Sequence, residues 1–303
     1  MPPQLRFVLA SLVLAALVAA VLGGRPGLGA GPERAVAAGP KELPRGGTSI
    51  FPRNRVVSFY GAPQSPELGI LGIGKPGRAA RKLRRVARRY RRPGRRVLPA
   101  FELISVIALA SPGKDGKYRA RQSGRTIRRY LRVVRRHNYL LLLDIQPGRS
   151  TFSKEVRALR PFLRRRDVGI ALDPEWNMGP SGVPGERIGS VHAREVNRVT
   201  RYLQRLINRR NLPEKLVVIH QFTPDMVRAK SKLKDRPGID LVLNSDGFGT
   251  AAQKRAKYRQ LAPRFRSPFH RGFKLFYKED TGLMNPGQVL KLRPRPVDLV
   301  IYE

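Results

Sequence analysis

The segment Asp167–Met178 reads D-V-G-I-A-L-D-P-E-W-N-M. Its apolar run, Val168–Leu172, is too short for a helix and is bounded by charge before and Pro174 after, which reads as a buried strand. Side chains two apart on a strand share a face, so Gly169, Ala171, Asp173 and Glu175 are predicted to point the same way. Two small residues followed by two carboxylates suit a strand whose inner face meets a crowded barrel interior and then opens into a pocket. The two acids would stand about 6–7 Å apart, two rises of roughly 3.3 Å. That pairing is raw material for acid/base chemistry.

Outward from this segment, short apolar runs alternate with amphipathic ones. The runs Val56–Tyr60, Phe101–Ala110, Tyr139–Ile145, Val168–Leu172, Leu216–Gln221, Ile239–Asn244, Phe273–Tyr277 and Val297–Tyr302 read as strands. Between them, helices are predicted over Pro76–Arg92, Ser123–His137, Thr151–Arg165, His192–Asn211, a short piece near Pro224–Lys230, Thr250–Leu261 and Pro286–Leu292. Strands that alternate with helical crossovers predict parallel β/α units, and eight of them predict a single (β/α)8 TIM-type barrel. An open doubly wound sheet of the dinucleotide-binding kind is disfavoured, because no G-x-G-x-x-G directly follows the first strand; the one match, Gly72 to Gly77, comes only after a long intervening loop.

The N-terminus has a different character. Arg6 precedes the apolar stretch Phe7–Leu22, then Gly, Pro and Ala, with Ala35-Val36-Ala37 as a small-residue cleavage site. Residues 1–37 are therefore expected to be a signal peptide or N-terminal anchor, 38–54 a flexible Pro/Gly-rich tether, and 55–303 the barrel. This organisation predicts a secreted or envelope-associated protein, expected to be a monomer. The 303 residues carry a formal charge of +40 and no cysteine. Disulfides and thiolate metal sites are thereby excluded. Such charge can hold a protein on an anionic cell-wall polymer or membrane surface; compositional drift, with arginine decorating solvated helix faces, is the competing explanation. Nucleic acid is not expected, since no aromatic stacking platform or binding motif accompanies the basic runs.

Barrel enzymes keep their chemistry at the C-terminal strand ends. Here those ends carry Tyr60, Ser111, Asp144 with Gln146, Asp173 with Glu175, His220 with Gln221, Asn244 with Asp246, Tyr277 with Glu279 and Asp280, and Tyr302 with Glu303. Acids are scarce in the chain yet recur at this rim. Trp176, the only tryptophan, is a candidate sugar platform, with Asn177 beside it, and the loop Gly179–Gly189 is long enough to cover a site. Asp246 in S-D-G and Asp144 before Q-P-G also suit turns. No cofactor and no metal are expected: the four histidines are scattered, and only His220 reaches the rim. A carboxylate-rich Mg²⁺ or Ca²⁺ site from Asp144, Asp173, Glu175 and Asp246 is the competing metal reading. A G-x-S-x-G elbow and a Walker-type phosphate loop are both missing.

The sequence L-D-P-E at the end of the fourth strand resembles the D-x-E signature of carbohydrate-active barrels, the chitinase-like and lysozyme-type muramidase families. The resemblance implies Glu175 as general acid and Asp173 as the partner that orients it or assists the reacting sugar. It covers this motif and the barrel: the fuller chitinase pattern carries acids where Val168 and Ala171 stand. The expected function is an exported glycoside hydrolase acting on a polysaccharide, with Tyr60, Asp144, Gln146, Trp176, Asn177, His220, Gln221, Asn244, Asp246, Tyr277, Glu279 and Tyr302 binding substrate. The alternative is a non-catalytic, envelope-associated binder of glycan or anionic polymer with a degenerate barrel site.

Overall fold

The structure, a computed structural model, describes residues 39, 41–263 and 268–303. The expected signal peptide or anchor lies outside the described residues. Eight parallel strands close into a barrel: β1 (Asn54–Gly61), β2 (Arg96–Ala108), β3 (Leu140–Ile145), β4 (Val168–Leu172), β5 (Lys215–Gln221), β6 (Ile239–Ser245), β7 (His270–Leu275) and β8 (Leu299–Tyr302). Closure is made by β1, which pairs with β8 at Val56↔Leu299 and with β2 at Val56↔Leu98. The strand β2 overshoots the rim. After a register shift between Ile104 and Val106, its end pairs antiparallel with Arg119–Arg121.

Alternation sorts the strand residues into two cores. Val56, Leu98, Ala100, Leu140, Leu142, Ala171, Leu216, Val218, Val242, Leu299 and Ile301 fill the barrel, while the intervening residues pack under the helices. The small residues of β4 are needed there. A Cβ on Gly169 would lie 2.5 Å from the Leu216 carbonyl oxygen and 2.8 Å from Leu142 Cδ2.

The crossover helices are α1 (Pro76–Arg88), α2 (Gly124–His137), α3 (Phe152–Ala158), α4 (Arg160–Leu163), α5 (Ala193–Arg210), α6 (Ala251–Leu261) and α7 (Pro286–Leu290). Their starts follow from capping: Ser123 Oγ accepts from the Thr126 amide, and Thr250 with Gln253 forms a capping box. Two helices end on asparagines in the left-handed region, Asn138 and Asn211. The single helix expected over Thr151–Arg165 is broken in two. Pro161 offers no amide proton and its ring meets the preceding turn, so α3 stops and α4 restarts with proline in its first turn. The short helix expected near Pro224–Lys230 is also absent. In its place Val227–Arg228 pairs with Val191–His192, followed by a 3-10 turn over Lys230–Lys232. No helix among the described residues is long and apolar enough to cross a membrane.

From Lys41 on, the expected tether is a packed segment that plugs the barrel floor. Leu43, Ile50 and Phe51 are buried and join the interior core with Leu98, Leu140 and Leu216. The Ile50 amide donates to Glu214 Oε2 (2.7 Å), and the Glu214 amide donates back to the Thr48 carbonyl (2.9 Å). Inward-facing leucines at the strand starts would otherwise meet water. Three buried apolar side chains, worth about 2 kcal/mol each, outweigh the mobility of a Pro/Gly-rich run.

Candidate active site

At the C-terminal end of the barrel, the inward alternation of all eight strands delivers polar groups to one layer. β1 brings Tyr60, β2 Glu102, β3 Asp144, β4 Asp173, β5 His220, β6 Asn244 with Asp246 just beyond it, β7 Lys274, and β8 Glu303. Glu102, Asp144 and His220 are at most 2 % exposed and form the floor. Above them a cleft of about 470 Å³ is lined by Tyr60, Gln146, Asp173, Glu175, Asp246, Lys274 and Glu303, with Trp176, Phe222, Phe248 and Phe276 as its aromatic walls.

His220 organises the floor. Its Nε2 lies 2.6 Å from Glu102 Oε1 and its Nδ1 2.9 Å from Asp246 Oδ2. A ring whose two nitrogens each face a carboxylate is best satisfied as an imidazolium donating to both. Burial pulls its pKa down, but Asp246 and Glu102 outweigh that and hold it well above the ordinary histidine range. Lys274 completes the cationic part: its Nζ is 2.6 Å from Glu303 Oε2, 3.6 Å from Asp246 Oδ2 and 3.8 Å from the centre of the Tyr60 ring.

Four of the carboxyls, Asp246, Asp144, Asp173 and Glu175, divide into two kinds. Asp246 is buried, which alone would raise its pKa, yet His220 and Lys274 hold it below the usual carboxylate range, with Asn244 Nδ2 donating to it. The others are driven upward. Burial and then Asp173 push Asp144 well above its ordinary value; burial pushes Asp173 to about 6 against the pull of His220 and Lys274; burial, Asp173 and Asp246 push Glu175 to about 7. Tyr60 is raised by burial and by Asp144, whose Oδ2 lies 3.5 Å from its hydroxyl. Among the described residues no donor reaches the side-chain carboxyl of Asp173 or Glu175, so neither is tied into a structural network.

The predicted strand reading of Asp173 and Glu175 needs adjustment. β4 ends at Leu172, Asp173 opens a 3-10 turn over Pro174–Trp176, and Glu175 reaches the cleft from that turn. Gln146 is held by the Ala108 amide (3.0 Å) and donates to the Tyr60 hydroxyl (3.2 Å). Five predicted substrate contacts lie elsewhere. Tyr302 occupies the outer face of β8, its hydroxyl 2.6 Å from that of Tyr90, because Ile301 and Glu303 take the inner face. Gln221 also points outward, donating to the Leu261 carbonyl and accepting from Lys230. Asn177 Nδ2 donates to the Ser190 carbonyl and pins the following loop. Tyr277 stacks on Tyr302 with ring centres 5.3 Å apart and, with Glu279, lines a side pocket of about 200 Å³ that shares Glu67 and Glu303 with the cleft. The loop Gly179–Gly189 is fastened by Arg149, which donates to Ser181 and Gly182 carbonyls, and forms no wall of the cleft.

Glu102 and Lys274 were not among the predicted site residues. Each stands alone as a charge inside an apolar strand, L-P-A-F-E-L-I and G-F-K-L-F, and a charge buried in such a strand must be paired. That is the signal that finds them. Glu102, Asp144 and His220 offer ligand atoms within 4.8 Å of one another. A divalent cation there would have to displace the proton shared by His220 and Glu102, because ligating imidazole is neutral.

No known family model matches the chain, and no curated protein matches it either.

Proposed function

We propose that this chain is an exported carbohydrate-active hydrolase that cleaves a polysaccharide by carboxylate acid/base catalysis, with Glu175 as general acid and Asp173 as its partner. The observation that carries the reading is the Glu175 carboxyl: it faces the cleft without a hydrogen bond among the described residues, and its pKa is pushed up to about 7. A carboxyl kept protonated near neutrality can donate to a glycosidic oxygen as the bond to the anomeric carbon breaks. The opposite requirement, a fixed negative charge for the oxocarbenium-like sugar, is met by Asp246, which His220 and Lys274 keep ionised. Two carboxyls in one cleft with pKa values driven apart mark an acid and a stabiliser. The apolar faces of sugar rings fit the half-buried Trp176 and the exposed Phe248.

The test is sugar release from a panel of soluble and insoluble polysaccharides, including peptidoglycan, by wild type and Glu175→Gln side by side. Glu175→Gln should lose at least about 100-fold in turnover, the usual worth of a general acid, while keeping its thermal stability and its affinity for the cleaved polymer. Turnover unchanged by the substitution removes Glu175 from the mechanism. Polymer retention without release by either protein moves the assignment to a binding protein.

A further inference from the structure

Some arginines of this chain are ion-paired: Arg95 on Asp298, Arg119 and Arg121 on Glu155, Arg135 on Asp167. The exposed arginines along α1 and α5 have no such partner among the described residues, and those of α5 also line concavities. On α5, Arg194, Arg198, Arg201, Arg205 and Arg209 are all exposed and fall within an arc of about 80° at 3.6 residues per turn. They form a stripe about 22 Å long at 1.5 Å per residue. Across the seam, α3 and the start of α4 present Lys154, Arg157 and Arg160, also exposed. Among the described residues none of these eight cations has an ion-pair partner. Like charges three and four apart oppose helix formation, so the stripe persists against local stability.

The stripe borders real concavities. Two adjoining grooves of about 540 and 650 Å³ run between α3–α4 and α5, joined through their common residues Arg157 and Arg205. A third, of about 420 Å³, lies on the other side of Arg198 and Arg201, toward Lys232 and Lys234. Among the described residues, Glu195 is the only acid lining any of the three.

We propose that the α3–α5 groove is a binding track for a linear polyol-phosphate polymer, a flexible chain of phosphodiesters without bases. Arginine forks on both banks match phosphate oxygens, and a thin chain can enter a groove that a flat surface cannot. A membrane is the poorer fit: the exposed large apolar side chains, Ile73, Ile188, Phe248 and Leu283, all lie off these helices. Single-stranded nucleic acid would want stacking faces. Among the described residues the one ring in the groove, Tyr202, already lies under the Arg157 guanidinium at 5.5 Å. The track is independent of the hydrolase reading, because it uses no residue of the cleft.

The experiment measures binding of the full chain to poly(glycerol phosphate) across a salt series, for wild type, R198E/R201E/R205E and an equal-charge control on α1, R81E/R85E/R88E. The α5 triple should lose on the order of 100-fold in affinity at 0.1 M salt and reduce the slope of log K against log salt by about 2, at roughly 0.7 per phosphate contact. The control should lose less than about threefold. Should the Glu triple unfold on melting, R198Q/R201Q/R205Q supplies the same slope. Equal losses from the two faces, or no binding by wild type, overturn the track and leave only diffuse charge. Tighter, α5-dependent binding to a single-stranded oligonucleotide, or to equimolar phosphatidylglycerol–phosphatidylcholine vesicles, overturns the polyol-phosphate assignment in favour of that partner.

Discussion

Glu175 and Asp173 share a cleft wall, and their different surroundings give the proposed activity a definite pH signature. Glu175 must hold its proton to act as an acid, and its pKa is pushed to about 7, so the rate should fall as pH rises through about 7. Asp173 assists as a carboxylate, and burial sets it at about 6, so the rate should also fall below about 6. The two groups influence one another, so the limbs belong to the pair. kcat/KM against pH should therefore be a narrow bell centred between 6 and 7. Removing the partner's charge by Asp173→Asn should lower the alkaline limb, because Asp173 is one of the charges that raises Glu175. A plateau that extends unchanged to pH 9 would assign the proton donation to another group.

At the scale of elements, the barrel was legible because its strands are short apolar runs separated by capped amphipathic helices, and the phase of β4 followed from Gly169 and Ala171. Phase was harder to read where a strand overran the apolar run that marks it. β2 extends past the rim, so the end of its apolar run points to Ser111, while the inward Glu102 lies six residues before the strand end. Tyr277 just past β7 and Tyr302 on β8 follow the outer face, while the inward Lys274 is masked in the sequence by its phenylalanine and leucine neighbours. The floor plug was hidden because only Leu43, Ile50 and Phe51 carry it within a Gly/Pro/Arg-rich run. The β2 extension has its own anchor, which gives a test at this scale. Glu155 on α3 is fully buried and accepts from Arg119 (3.0 Å), Arg121 (2.6 Å) and Ser150 (2.6 Å). Breaking a buried pair from one side leaves its partners uncompensated, so Glu155→Leu should cost about 3 kcal/mol in denaturant unfolding. A loss below about 1 kcal/mol would place those arginines in water and free the β2 extension from α3.

For the whole molecule, the buried carboxyls make stability a function of pH in a direction opposite to the common one. Asp144, Asp173, Glu175 and, at the plugged bottom end of the barrel, Glu214 all have folded pKa values raised above those of the unfolded chain; Glu214 reaches about 7 through burial and the neighbouring Asp240. A raised carboxyl binds its proton more tightly in the folded state. The folded chain therefore holds more protons between about pH 4 and 7, and stability falls as pH rises across that window. His270, raised to about 9 against burial by Asp240 and Asp298, adds stability that is full below about 6.5 and declines toward 9. Asp246 and Asp298 act in the other sense, but their depressed values confine the loss to pH below about 4. Lys215, lowered to about 7 by burial, costs stability that is recovered only as pH rises above about 7. Between pH 5 and 7 the raised carboxyls therefore dominate, and the arginines that make up most of the positive charge stay protonated throughout, so global repulsion changes little. Unfolding free energy at 0.15 M salt should be higher at pH 5 than at pH 7. Glu214→Gln, which keeps an acceptor for the Ile50 amide, should flatten the decline. Stability that climbs from pH 5 to 7 would mean that these carboxyls are ionised in the folded chain, and with them Glu175 would lose the proton on which its proposed role depends.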